Sequence, residues 1–125
     1  MENEAWRSTD SPTNLILTGL TVAPDGQQMY CCGRQGMLLR GDKTHWTVVE
    51  HGLAEDFWSV ECFRGRVFVA SLRSIFELKG ERLERVDDGS PAGSYYRLSA
   101  NDDVLLSVGS AALLLFDGDR WAAID

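Results

Sequence analysis

The sequence predicts an all-β protein built from three tandem four-stranded antiparallel meanders. Three observations lead there. Displaced by 38 residues, the chain meets itself: Gly33 falls on Ser71 and then Gly109, Met37-Leu38 on Ile75-Phe76 and Leu113-Leu114, and Asp42 on Gly80 and Gly118. With one residue fewer in the last turn, Trp46 meets Leu83 and Trp121. Short apolar runs also alternate with turn sequences at the close spacing of all-β proteins, and no window carries capped helical periodicity.

Residues 1–14 are polar and hold Asp10-Ser11-Pro12-Thr13-Asn14, a loop signal. They read as a tail, or as a stray outer strand at Trp6-Arg7-Ser8. The first unit opens with Leu15 to Val22 and turns at Pro24-Asp25-Gly26, where proline and glycine supply the backbone angles of a turn. Gln28 to Cys32 follows, then a tight reversal from Gly33 to Gly36, then Met37 to Arg40, the turn Gly41 to Thr44, and Trp46 to Glu50. The second unit copies this order as Phe57 to Phe63, Arg66 to Ala70, Ser74 to Leu78 and Arg82 to Val86. The third does so as Tyr95 to Ala100, Val104 to Val108, Ala112 to Phe116 and Arg120 to Ile124. The units thus span about 15–50, 57–88 and 95–125 of a single repeat domain, residues 15–125. Their second strands (Met29 to Cys32, Val67 to Ala70, Leu105 to Val108) are almost continuously apolar, as expected of strands covered on both faces.

The pattern of apolar strand, Gly-x-x-Gly, apolar strand and Asp-x-x-x-Trp is carried by Gly33, Gly36, Asp42 and Trp46, and by Gly109, Asp117 and Trp121. It resembles the degenerate repeats of bacterial β-propellers in the sialidase and photosystem-assembly-factor style. The resemblance runs over roughly residues 15–125 and implies the fold. It implies no sialidase activity, because the second unit has Ser71 and Leu83 at two motif positions and the spacing misses an Asp-box by one residue. Closed propellers have at least about four blades, so three would leave the outer faces of units one and three bare. A two-fold homodimer would complete a six-bladed ring. A fragment of a longer propeller, and a compact β-sandwich or barrel of the same strands, are the alternatives.

Composition narrows the function. A formal charge of −7 and a pI near 4.7 argue against the basic footprint of a nucleic-acid binder and suit either a cationic partner or plain solubility, the commoner reason for such a charge. No run reaches the roughly 18 apolar residues of a membrane helix, and the start of the chain lacks the basic and apolar parts of a signal peptide. Three cysteines, Cys31, Cys32 and Cys62, form no disulfide framework, which suits a reducing, cytoplasmic setting. His45 and His51 have no second ligand at metal spacing, and no cofactor or metal is implied. The paired acids Glu55-Asp56, Asp87-Asp88 and Asp102-Asp103 sit in polar turns, and no nucleophile–base pair can be assembled around a cysteine.

Loop length is more informative. In an up-and-down meander the turns after strands one and three share one face, and these are short. The connections Glu50 to Asp56 and Asp87 to Ser94 share the other face and are long, acidic and edged by Phe57-Trp58 and Tyr95-Tyr96. Binding groups concentrate on long loops set on a rigid sheet. Glu50, His51, Glu55, Asp56, Asp87, Asp88 and Tyr95 are therefore the candidate partner-binding residues. The expectation is a non-enzymatic module that binds a basic protein, such as an immunity protein neutralising a nuclease toxin. A carboxylate-dependent propeller enzyme acting on a sugar or small ligand, and a structural propeller subunit or fragment, are the competing readings.

Overall fold

In the structure, a computed structural model, residues 16–86, 97–109 and 113–124 are described. The tail and stray-strand reading of residues 1–14 lies outside them. Twelve strands form three four-stranded antiparallel sheets. The first sheet is β1 (Leu17–Val22), β2 (Met29–Gly33), β3 (Leu38–Gly41) and β4 (Trp46–Val48). The second is β5 (Phe57–Phe63), β6 (Arg66–Ser71), β7 (Ile75–Lys79) and β8 (Arg82–Arg85). The third is β9 (Arg97–Ala100), β10 (Leu105–Val108), β11 (Leu113–Phe116) and β12 (Trp121–Ala123). Within each sheet the strands lie in chain order, so each unit is a simple blade-like meander and not part of a sandwich or barrel.

Strand β6 shows why the sheets stack. Successive side chains of a strand point to opposite faces. Val67 and Val69 therefore enter a core with Tyr30, Cys32, Leu38, Val49, Phe57 and Val60, between sheets one and two. Phe68 and Ala70 enter a second core with Phe63, Ile75, Leu98, Leu105, Leu114 and Phe116, between sheets two and three. In that second core Phe68 meets Phe116 edge to face at 5.7 Å, and Phe116 stacks on Trp121 at 4.7 Å.

Strand pairing refines the repeat. Trp46, Leu83 and Trp121 sit opposite Gly41, Leu78 and Phe116, so the alignment of the last strands holds. The alignment of the third strands does not hold at a constant 38. Gly33 closes its reversal on Met37 where Ser71 closes on Ser74, so Leu38, not Met37, is the counterpart of Ile75. The extra residue is taken up in a 3-10 turn, Arg34–Gly36, with Gln35 at φ 60° and Gly36 at φ 78°. Likewise Asp42 corresponds to Asp117 and not to Gly118. Each carboxylate accepts two backbone N–H groups across its turn, Asp42 from Thr44 and His45 (2.8 and 2.9 Å) and Asp117 from Asp119 and Arg120 (2.9 and 3.0 Å). Asn101 does the same without charge in the β9–β10 turn, holding Asp103 and Val104.

The first strands of the three units lie side by side and are tied by polar side chains. The Thr18 hydroxyl donates to the Phe57 carbonyl at 2.6 Å. Thr21 donates to the Glu61 carboxylate at 2.9 Å, and the other oxygen of Glu61 accepts Ala100 N–H at 3.0 Å. The short-turn face is tied by arginine. Arg64 donates to the carbonyls of Asp102, Asp103 and Asp117, and Arg66 pairs with Glu77 through two bonds of 2.9 Å while reaching Gly118. The four carbonyls lie 38 to 53 residues further along the chain, where only the stacked sheets bring them, whereas Glu77 is on the neighbouring strand of the same sheet.

Two outcomes are expected. Phe68→Ala removes the largest side chain of a fully buried strand and should cost about 3–5 kcal/mol in chemical denaturation, whereas Asn101→Asp should cost little. The second concerns pH. Backbone N–H donors hold the Asp42 and Asp117 carboxyls below their ordinary value of 3.8. A depressed carboxyl stabilises the fold above its unfolded pKa, and that contribution is lost as pH falls through the lower folded value. Between about pH 5 and 3 the thermal midpoint of the wild type should therefore fall more steeply than that of Asp42→Asn/Asp117→Asn, which keeps the acceptors but cannot titrate.

Candidate functional site

The long-connection face is assembled from the β4–β5 connection and the reversals after the second strands. The 3-10 turn Arg34–Gly36 is stitched to the β4–β5 connection at three points. The Asp56 carboxylate accepts Gln35 N–H at 2.7 Å, and its other oxygen lies 3.6 Å from the Arg34 guanidinium. His51 is engaged at both ring nitrogens. Leu53 N–H donates to Nδ1 at 3.1 Å, which leaves Nε2 to carry the proton and donate to the Gly36 carbonyl at 2.6 Å. The same ring packs on Phe57 at 5.5 Å. Gly36 is required here twice over, because its φ is positive and a Cβ would overlap the Leu53 carbonyl.

Of the candidate residues, Glu50 and Glu55 are exposed. His51 and Asp56 shape the connection through the bonds above. Asp87, Asp88 and Tyr95 lie outside the described residues. Glu55 and Asp56 share a cleft of about 570 Å³ with Trp58, Ser71, Leu72, Arg73 and Arg85. The fold also brings Arg34, Arg73 and Arg85 to the acidic face, which is therefore of mixed sign. The β8 strand ends there, and the β6–β7 reversal faces the connection, two facts that follow from strand order alone.

Trp58 was also legible only in part. At a constant spacing of 38 it would align with Leu20, but six residues separate the paired Val22 and Met29 where four separate Cys62 and Val67, so the longer β1–β2 turn makes Thr18 its counterpart, both at matching register shifts. Sitting on that irregularity, Trp58 lines both the acidic-face cleft and a second cleft of about 500 Å³ along the first strands, with Leu20, Glu61 and Arg97. Its indole N–H is inaccessible and has no hydrogen-bond partner among the described residues.

The thiols offer no nucleophile. Burial pushes Cys32 up to about 12 and raises Cys31 and Cys62 as well, so the reactive thiolate is suppressed. Among the described residues no three His, Cys, Asp or Glu side chains gather as a metal-binding group, and no helix is long and apolar enough to cross a membrane. The arrangement presents shape, charge and hydrogen-bonding groups.

No protein-family model matches the sequence. The chain is 39% identical over 126 aligned residues, 99% of its length, to the Immune protein Tsi7 of Pseudomonas aeruginosa. It spans 41% of the length of that relative. In fold it is similar to a solved structure of YCF48 bound to D1 peptide, a propeller-type protein. The TM-score is 0.71 with 15% identity, over 90% of this chain and 41% of that one. The likeness supports the blade-like reading of the three sheets.

Gly36→Ala should destabilise by about 1–3 kcal/mol through its positive φ and the displaced Leu53 carbonyl. Hydrogen exchange should show the lost protection concentrated in the β4–β5 connection, with β6 changed least.

Proposed function

We propose that this protein is an immunity protein: a non-enzymatic, cytoplasmic module that binds and neutralises a basic toxin such as a nuclease. The observation that carries the reading is the 39% identity, over nearly the whole chain, to a protein named as an immune protein. The net charge of −7 supports a cationic partner, and the three free thiols suit a reducing compartment.

The proposed contact surface is the long-connection face. Glu50 and Glu55 meet lysines or arginines of the toxin, with Asp87, Asp88 and Tyr95 of the next connection contributing from their place in the sequence. His51 and Asp56 hold the first connection in shape, so their effect on binding is through the position of Glu50 and Glu55. Opposite charges at this distance steer the encounter more than they set the final affinity. The homodimer expected from the repeat belongs to the same proposal, since each end sheet keeps large apolar side chains exposed, Leu20 and Val22 on the first and Val108 and Ile124 on the third.

The test is co-expression with a nuclease toxin domain, sought first in the reading frames neighbouring this one, followed by binding kinetics on the purified pair. Rescue of growth is expected, and association should slow as salt rises past about 0.15 M, where the screening length is about 8 Å. Glu50→Lys/Glu55→Lys should slow association about tenfold or more and change dissociation less. Rescue without any salt dependence would remove the acidic face from the mechanism; failure to rescue would remove the function.

A further inference from the structure

We propose that two copies close a ring head to tail, the third sheet of one copy seated on the first sheet of the other at both junctions. This rests on the homodimer proposed above and specifies how it is built.

The two junctions inside the chain define what a sheet-to-sheet contact requires. On the leading side, the first sheet offers Tyr30, Cys32, Leu38 and Val49 to its neighbour, and the second offers Phe68, Ala70, Ile75 and Val86 at the same register positions. The third sheet carries Leu106, Val108, Leu113 and Ile124 at those positions. The match at the last member is direct: Val49, Val86 and Ile124 each donate their N–H at 2.8 Å to the carbonyls of Leu38, Ile75 and Leu113. Among the described residues nothing covers this set fully, and Val108 and Ile124 are 48% and 43% exposed.

The trailing side repeats too. The second sheet receives its neighbour with Val60, Cys62, Val67 and Phe76, and the third with Leu98, Ala100, Leu105 and Leu114. The first sheet has Leu20, Val22, Met29 and Leu39 in those places. Leu20 and Val22 are 63% and 52% exposed and Met29 is half-buried, while Leu39 is already covered. Each partly bare face is thus half of a contact that the molecule already makes twice, and the two halves are of opposite kind. Like-on-like docking would pair two leading faces, a contact seen at neither internal junction.

The polar tie predicts a specific bond. Cys62 N–H donates to the Thr21 hydroxyl at 3.4 Å, and Ala100 N–H donates to the Glu61 carboxylate at 3.0 Å. In both, a side-chain oxygen of one first strand receives the N–H of the next. The following members of the series are Ser99, exposed on β9, and Val22, exposed on β1. The Ser99 hydroxyl would accept Val22 N–H of the second copy. Arg97 replaces Gly19 and Ser59 in the same series and turns toward the central cleft that it lines.

Sedimentation or light scattering of the full chain, with the variants Leu20→Arg and Val108→Arg, tests this. The wild type should have twice the 13.9 kDa of one chain. Each variant alone should be monomeric, because every junction then holds one arginine. An equimolar mixture of the two should associate one to one, because one junction of the mixed pair joins two unaltered faces. Ser99→Ala should weaken dimerisation about fivefold per junction. A monomeric wild type at about 100 μM, well above the micromolar range of a working interface, would overturn the homodimer itself. A dimeric wild type that Val108→Arg dissociates but Leu20→Arg does not would overturn only the head-to-tail arrangement, in favour of like-on-like docking. Folded monomeric variants that fail to associate on mixing would also overturn it.

Discussion

Everything in this fold depends on a strand that cannot show either face to water. Strand β6 carries Val67, Phe68, Val69 and Ala70 in succession, and all four are buried. A sheet with one solvated face alternates apolar and polar residues along its strands. Four apolar residues in a row demand cover on both sides, and a sandwich could supply only one. A sheet is therefore needed before the middle one and another after it. The alternation of β6 then assigns each side chain: odd positions to the first core, even positions to the second. The outer sheets receive cover on one side each, and their second strands are correspondingly less buried, with Val108 exposed where Ala70 is not.

Stacking alone would leave the sheets free to slide, because apolar contact is non-directional. Register between sheets is set by the polar ties at the first strands. Backbone N–H groups on the open edge of these strands have no partner within their own sheet, and each must find one elsewhere. Thr21, Ser59 and Glu61 supply the acceptors to Cys62, Leu98 and Ala100. Gly19 marks how close the strands come, since a Cβ there would lie 3.2 Å from Val60 N. On the short-turn face Arg64 and Arg66 lock the middle and last units, and Arg40 reaches Gly80 and Glu81 from the first. One end of the stack is consumed by these bonds. The other end keeps the longer connections.

The periodic part of the molecule was legible in the sequence and the aperiodic part was not. Apolar runs, turn residues and the pairs Asp42/Asp117 and Trp46/Trp121 are local signals, and the strands appear within a residue or two of where those signals put them. What failed was the assumption of a constant spacing. Gln35 adopts a left-handed conformation that a non-glycine residue seldom takes, so the additional residue in the Arg34–Gly36 reversal left no trace in composition. The β1–β2 turn, two residues longer than the β5–β6 turn, likewise moved Trp58 off its expected neighbour. Arginines were the other blind spot. Arg64 looks solvated in isolation, and its three carbonyl acceptors are gathered only after two sheets have formed and stacked. The acidity of the β4–β5 connection was plain, but the Arg34 and Arg73 beside it come from other turns, and local sequence does not say which turns share an end of the stack.

That mixed sign changes how such a face would discriminate among partners. Net charge acts at long range, where the −7 of the whole chain attracts any cation and individual positions are blurred by salt. At contact the pattern takes over. A partner with cations placed opposite Glu50 and Glu55 gains, and one whose cations fall opposite Arg73 or Arg85 is repelled, so the embedded arginines sharpen selection among equally basic surfaces. The carboxylate of Asp56 is already committed to Gln35 and Arg34, so its oxygens offer less to a visitor than sequence position implies. Trp58 adds an apolar wall to the cleft, while its inaccessible indole N–H, without an acceptor among the described residues, is a standing cost within the fold. In the proposed complex, attraction at a distance would select for basic partners in general, and fit at the cleft for one among them.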